Sequence, residues 1–298
     1  MDYRDALVQT VSYIENHLSD DIKVEEVAKA AGYSYYHLNR QFAAILGEGI
    51  GGYIRKRRLA EAAKHLLYYS DEKIIDVAME SSFESAEAFS RTFKNVYGVS
   101  PQAYRQNRLD ILLSRKYPLD SGRIEHLSRN VTVHPRIVEL PEIKAVGLRG
   151  EASMQINREI IKLWEKANRL FLHLPNRIPN GRAFGISEFC DGNTLHTMTT
   201  EIMFPVVAAA EVSSFAGIPE EFARKIIPGG RYAVFTHRGT LTRLMQSFDY
   251  IWGTWSLQLK MKSGEAIDDA REAFEMYDAR FLGYDHPDSE VDLYIPMK

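Results

Sequence analysis

The apolar positions of the first hundred residues form one pattern written twice, with the second copy starting 50 residues after the first. The first copy runs VEEVAKAAGYSYYHLNRQFAAIL from Val24 and the second IIDVAMESSFESAEAFSRTFKNVY from Ile74. Each predicts a short helix with a central Val-Ala pair, Val27 and Ala28 or Val77 and Ala78, whose small residue lets another helix come close. A turn follows, then a serine suited to N-cap a second helix, Ser34 or Ser85. That second helix carries an apolar stripe at i, i+4, i+8: Leu38, Phe42 and Leu46, then Phe89, Phe93 and Tyr97. Its opposite stripe is polar, with Arg40 and Arg91 in equivalent places. Two short helices joined by a tight turn, the second with an exposed polar N-terminal face, form the arrangement that inserts a helix into a DNA major groove. A purely structural bundle also contains helical hairpins, but it has no need to repeat an outward arginine in register with an inward stripe.

Around this repeat, residues 3 to 18 predict a leading amphipathic helix with Leu7, Val11, Ile14 and Leu18 on one side. A long helix from about Gly51 to Tyr69 joins the hairpins. It would hold the two recognition helices at a fixed separation, as needed to meet groove segments about 34 Å apart. The GEGIGG stretch from Gly47 follows a helix and not a strand, so it reads as a helix stop and bend, not a nucleotide loop. From Leu109 to His134 the pattern is irregular, broken by Pro118 and Gly122, and this stretch is the expected linker. The expected domains are therefore 1–108, DNA-binding, and 135–298, with 109–134 between them.

The second half alternates strand-like runs with two long helices, and it also repeats itself. LPEIKAVGLRG from Leu140 parallels IPGGRYAVFTHRG from Ile227, and each is followed by a helix with a tryptophan, Trp164 or Trp252. Two strands come next in each copy. The first holds Glu188 or Glu275, and the second ends in Pro205 or Pro296. Such a duplicated unit predicts an α+β domain with a pseudo-twofold repeat and a cleft between its halves. The whole chain is expected to be multidomain, an all-α double helix-turn-helix domain followed by this α+β domain.

Composition narrows the picture. The chain has 298 residues, 45% of them hydrophobic, which is ample for real cores and speaks against disorder. No apolar run reaches bilayer-spanning length, and MDYRDALVQT lacks the basic start and apolar stretch of a signal peptide, so a cytoplasmic protein with no membrane partner is expected. Cys190 is the single cysteine, which excludes an internal disulfide framework and a cysteine-based metal site; it is expected to be an inert, partly buried side chain, and no cofactor or metal set is expected. The formal charge of −3 runs against the basic character of many DNA-binding proteins. Local clusters decide phosphate contact, however, and Arg55 to Arg58 form one run, while Lys94, Arg105 and Arg108 gather near the end of the second copy.

From Val24 to Arg108, down to the closing FKNVYGVSPQAYR that starts at Phe93, the sequence resembles the AraC/XylS family of bacterial transcription regulators. With its second half, the chain resembles the Rob type of that family. It departs from the family where Ser82-Phe83 stands in place of the usual Gly-Phe, which implies a strained or altered turn. By position, the resemblance assigns base reading to Tyr36, Asn39 and Arg40 on the first recognition helix, and to Ala86, Glu87 and Arg91 on the second. Arginine to guanine and asparagine to adenine are chemically sensible pairings, and Glu87 can accept from cytosine N4. The second helix is then expected to act mainly through a backbone contact by Arg91.

The second half, in its GRYAVFTHRG, WGTW, FEMY and VDLYIP segments, resembles the GyrI-like effector-binding fold. That resemblance implies a carboxylate in an aromatic cleft for cationic, apolar ligands, here Glu275 with Tyr232, Trp255 and Tyr277 around it. An ionised glutamate among apolar walls is costly unless a partner neutralises it, and a bulky cation supplies both charge and π contact. The other possibility is that Glu275 pairs with an arginine or faces water and that the tyrosines are ordinary core.

The expectation is a non-enzymatic transcription regulator, an activator by its family resemblance, with promoter DNA, RNA polymerase and a small-molecule effector as partners. Three alternatives stay open: a hydrolase with Glu275 as base beside Tyr232 or Tyr277, a protein-interaction module, and hairpins that are purely structural.

Overall fold

A computed structural model describes residues 3–69, 71–107, 116–152, 158–188, 203–262 and 265–298. Arg108 and Cys190 lie outside the described residues. The chain forms two compact units. One comprises Met1–Arg129 together with Phe248–Met261, and the other Asn130–Thr194, Thr200–Ser247 and Lys262–Lys298.

In the first unit, α1 (Tyr3–Asn16) leads into α2 (Val24–Ala30) and α3 (Tyr35–Leu46), and α4 (Ile50–Tyr68) then joins this pair to α5 (Ile74–Glu80) and α6 (Ala86–Tyr97). The apolar stripes of both copies are buried, as are both Val-Ala pairs. The turns superpose bond for bond: Tyr33 N donates to Ala28 O and Phe83 N to Ala78 O, each at 3.0 Å. Gly32 takes a φ of +75° in the first turn, and Ser82 takes +58° at the same place in the second. The second turn thus keeps its shape, and the serine carries the left-handed strain that a glycine would avoid. Ser85 accepts from Ala88 N at 3.1 Å, whereas Ser34 stands at the N-cap without a side-chain bond.

After α7 (Pro101–Gln106), the 109–134 stretch departs from the irregular linker expected of it, because α8 (Ser121–Arg129) lies within it. Asp120 opens this helix by accepting from Arg123 N at 2.7 Å, and Ile124 and Leu127, one turn apart, are buried. The basic run also differs from expectation. Arg55 is exposed, but Lys56 and Arg57 are buried, Arg57 being held by Glu15, Glu61 and the Lys116 carbonyl, while Arg58 donates to the Leu18 and Asp20 carbonyls. Charges on one side of a helix can serve the fold as readily as a phosphate.

The second unit is built on one antiparallel sheet. Its strands are β1 (Arg136–Leu140), β2 (Ile143–Ala152), β3 (Ala183–Ser187), β4 (Phe204–Glu211), β5 (Ala223–Ile227), β6 (Gly230–Arg238), β7 (Phe274–Tyr277) and β8 (Glu290–Pro296). The spatial order β1-β6-β8-β7-β3-β4-β2-β5 is the same read from either end once the two repeats are exchanged. Each repeat lends its leading strand to the other: β1 pairs with β6 and β5 with β2, with Leu140 opposite Gly230 and Ile227 opposite Ile143. Pro296 ends β8 as expected, but Pro205 sits at the start of β4, where a missing N–H is tolerated. One sheet face gathers Phe184, Ile186, Val207, Tyr232, Val234, Phe274 and Tyr294. The other gathers Val146, Ala208 and Ala210 against Ala167 and Phe171 of α9 (Arg158–Phe171).

After β6 the chain runs through α10 (Leu244–Tyr250), a π-helical turn (Ile251–Trp255) and α11 (Ser256–Lys262). No helix among the described residues is long and apolar enough to cross a membrane.

Candidate DNA-reading face and effector site

On α3, Tyr36 is 75% exposed and Arg40, one turn later on the same side, is also exposed. On Asn39, Oδ1 accepts from Ile50 N at 2.9 Å and so satisfies the opening of α4. Asn39, expected among the base-reading residues, is thus also tied to the α3–α4 corner through the cap it gives the next helix. On α6, Glu87 and Arg91 are exposed and Ala86 is half-buried. Lys94 is exposed as well, whereas Arg105 is turned inward to donate to the Glu72 carbonyl at 2.6 Å.

In the second unit, β7 places Glu275 and Tyr277 on one sheet face by its period of two. The Tyr277 hydroxyl donates to Glu275 Oε2 at 2.5 Å. Opposite Glu275 on β3 stands Gly185, where a Cβ would lie 2.8 Å from Glu275 Oε2, so a glycine leaves the carboxylate its space. Trp164 of α9 meets the Tyr277 ring edge-on at 4.9 Å between centroids, and Phe281 meets it from another side at 4.9 Å. Glu275 itself is half-buried and still partly reached by solvent. Burial pushes its carboxyl up to about 7, with the Tyr277 bond acting in the opposite direction. No cation pairs with it among the described residues.

The other expected cleft residues divide. Tyr277 joins Glu275, but Tyr232 packs on the opposite sheet face, 5.5 Å from the Phe274 ring, with its hydroxyl donating to the Pro228 carbonyl. Neighbours of Phe274 and neighbours of Glu275 must lie on opposite faces, since the two are adjacent on one strand. Trp255 lies in the π-helical turn, which folds with the first unit. Glu188, the repeat counterpart expected of Glu275, lies just beyond β3 and is bound by Arg149 at 2.7 Å and Lys225 at 3.0 Å, which help to hold its carboxyl below the usual range. Sequence reasoning missed Gly185 and Phe281, and it noted Trp164 only as a marker of the repeat.

Among the described residues, one group has the ligand spacing of a metal site: His65, Glu72 and Glu80, whose ligand atoms lie within 4.8 Å of one another. These residues are partly or fully exposed, with His65 Nδ1 3.4 Å from Glu72 Oε2 and 3.6 Å from Glu80 Oε2.

Comparison with known proteins agrees with both halves. Residues 136–297 match the family of the integron-associated effector binding protein, and residues 27–107 match a helix-turn-helix domain family. The right origin-binding protein of Escherichia coli K12 is 36% identical over 280 residues, covering 90% of this chain and 91% of that protein. The transcriptional regulator Rob of Salmonella typhimurium is 26% identical over 282 residues, covering 90% and 91%. YbfP, an uncharacterised helix-turn-helix regulator of Bacillus subtilis, is 45% identical over 105 residues; this match spans only 35% of either chain.

Proposed function

Since the chain belongs to the AraC-type transcriptional regulators of the Rob kind, with an effector-binding domain of the integron-associated family in its second half, we propose that this domain senses small, apolar cations through Glu275 and thereby modulates activation of transcription. The observation that carries this reading is the state of Glu275: a half-buried carboxylate bonded by the hydroxyl of Tyr277, whose ring packs against Trp164 and Phe281, with no cation among the described residues to neutralise it. A bound cation relieves that electrostatic cost and meets the π faces of Trp164, Tyr277 and Phe281. Tyr232, on the opposite sheet face, has no part in this site. On the DNA side, Tyr36 and Arg40 read bases from α3, Arg91 contacts the backbone beside Glu87 and Ala86, and Asn39 acts through the α3–α4 corner. DNA-bound protein recruits RNA polymerase.

The experiment is a thermal-shift screen of the whole protein against tetraalkyl- and tetraarylphosphonium cations, neutral isosteres and anions, repeated with Glu275→Gln. A cation at 100 times its dissociation constant stabilises the state it binds by about 2.7 kcal/mol. Cations are expected to shift the parent and not the variant; equal shifts in both overturn the assignment. The 2.5 Å Tyr277–Glu275 bond also suits a second reading, general-base hydrolysis of a reactive electrophile. Product formation by the parent that Glu275→Gln abolishes would put that reading first.

A further inference from the structure

The corner that closes the first recognition helix contains a buried charge cluster that a helix-turn-helix does not require. Gly47 ends α3 with a φ of +73°, and the next residue, Glu48, is 2% exposed. Lys56 donates to Glu48 Oε2 at 2.9 Å, and Lys116 donates to Glu48 Oε1 at 2.5 Å. Both lysines also reach Thr254 in the π-helical turn: Lys56 donates to its carbonyl at 3.2 Å and Lys116 to its hydroxyl. On either side of Thr254, Gln258 donates to the Gly47 carbonyl at 3.0 Å, and Tyr250 packs so closely that a Cβ at position 47 would lie 1.9 Å from its hydroxyl oxygen. A residue with a side chain is therefore excluded at 47 twice over, by φ and by Tyr250.

The repeat supplies an internal control. In the second copy the same corner reads Gly98, Val99, Ser100. Gly98 closes α6 with a φ of +78° and Ser100 caps α7 through Ala103 N at 3.2 Å, while the place of Glu48 is taken by Val99. A helix-turn-helix of this kind closes without a buried carboxylate. Glu48 is instead matched to Lys116 and to the segment Phe248–Met261, which the chain order assigns to the second half but which folds as part of the first unit.

We propose that Glu48, Lys116 and Thr254 are positioning residues for DNA reading: they anchor Phe248–Met261 against the Gly47 corner and so set the direction in which α3 presents Tyr36 and Arg40. The α3–α4 corner is then held from two sides, by the Asn39 cap and by the Thr254 anchor, and the second recognition helix is indifferent to the anchor. A disturbance of the π-helical turn reaches DNA reading through α3 alone.

The inference rests on α3 being a base-reading helix, and the test separates the two. A duplex selected by the parent protein from a random pool is used in gel-shift titrations, and Arg40→Ala identifies the half of the site that α3 reads. Thr254→Val removes the hydroxyl at nearly constant volume. It is expected to weaken binding by about tenfold, the scale of one charge-assisted hydrogen bond. The loss should vanish when the α3-read half of the duplex is scrambled, persist when the other half is scrambled, and be restored by Thr254→Ser. Parent-like affinity in Thr254→Val, or an equal loss on both scrambled duplexes, overturns the inference. An Arg40→Ala protein with no half-site preference overturns the α3 reading itself.

Discussion

Glu48 and Glu275 are both carboxylates withdrawn from bulk water, and their surroundings drive them in opposite directions. Around Glu48, burial alone would raise the carboxyl, but the Lys116 and Lys56 ammoniums and their hydrogen bonds outweigh it and hold the group below its ordinary value of 4.5. Around Glu275, burial meets only the Tyr277 hydroxyl, and the carboxyl climbs to about 7. A carboxylate matched with cations is a structural joint, whose disruption leaves charge stranded. A carboxylate without a cation among the described residues keeps the electrostatic cost of its burial. The difference lies in the partners more than in the glutamates, and it separates a residue that serves the fold from the one we propose as the ligand contact.

The largest consequence is in stability. Glu48→Gln leaves two lysine ammoniums enclosed without their counter-charge and is expected to destabilise the first unit by about 3 to 5 kcal/mol, the usual cost of breaking one partner from a buried ion cluster. Glu275→Gln removes an unneutralised charge and is expected to leave stability unchanged or raised at pH 8. Urea unfolding followed by tryptophan fluorescence and circular dichroism measures both variants. Similar losses in the two would erase the distinction between them.

This contrast was only half readable in the sequence. The helical stripes and the tandem hairpins follow from periodicity and appear where the spacing puts them, while the sequence repeat of the second half announced a twofold relation but not which strands pair. Glu275 stood out only through the resemblance of the FEMY segment to the GyrI-like fold, which implies a carboxylate at that place. Periodicity says which side of an element faces inward but not what it meets there. Lys56 and Arg57 therefore read as part of a basic face although both are enclosed, and Asn39 read as a base contact with no sign that it also caps α4. Tyr232 was misplaced for a related reason: whether residues on two strands share a face depends on register across the sheet, which one strand's pattern does not contain. Glu48 lay unnoticed among the glycines of GEGIGG because its partners are 8, 68 and, through the lysines, about 200 residues away in the chain.

The second consequence is a difference in pH response. A folded-state carboxyl raised from 4.5 to about 7 makes the native state bind protons more readily than the unfolded chain, so Glu275 lowers stability fully above pH 7, and that penalty fades as the pH falls toward 4.5. Glu48, whose folded value is depressed, contributes stability that is present above pH 4.5 and lost only as the pH falls through that lower value. Between pH 8 and pH 5 the gap between parent and Glu275→Gln should therefore close, while the Glu48→Gln deficit stays constant. Cation affinity should be flat above pH 8 and fall by about tenfold per unit below pH 6, because the cation competes with a proton for one carboxylate. Isothermal titration of a phosphonium cation across this range gives the profile. A flat profile would mean that the cation does not need an ionised Glu275.

The smallest effect tests the Tyr277 bond that restrains Glu275. Tyr277 donates to the ionised carboxylate, so Tyr277→Phe should move the carboxyl further above 7 while keeping the ring that faces Trp164 and Phe281. At pH 7 fewer molecules would then carry the charge, and cation affinity should drop severalfold. At pH 9, where Glu275 ionises even without the hydroxyl, affinity should return close to that of the parent. That recovery distinguishes a hydroxyl that tunes the carboxylate from one that touches the ligand, because a lost ligand contact weakens binding at every pH. If the deficit of Tyr277→Phe is the same at pH 7 and pH 9, Tyr277 belongs to the binding surface itself, and the upward displacement of Glu275 is set by its burial alone.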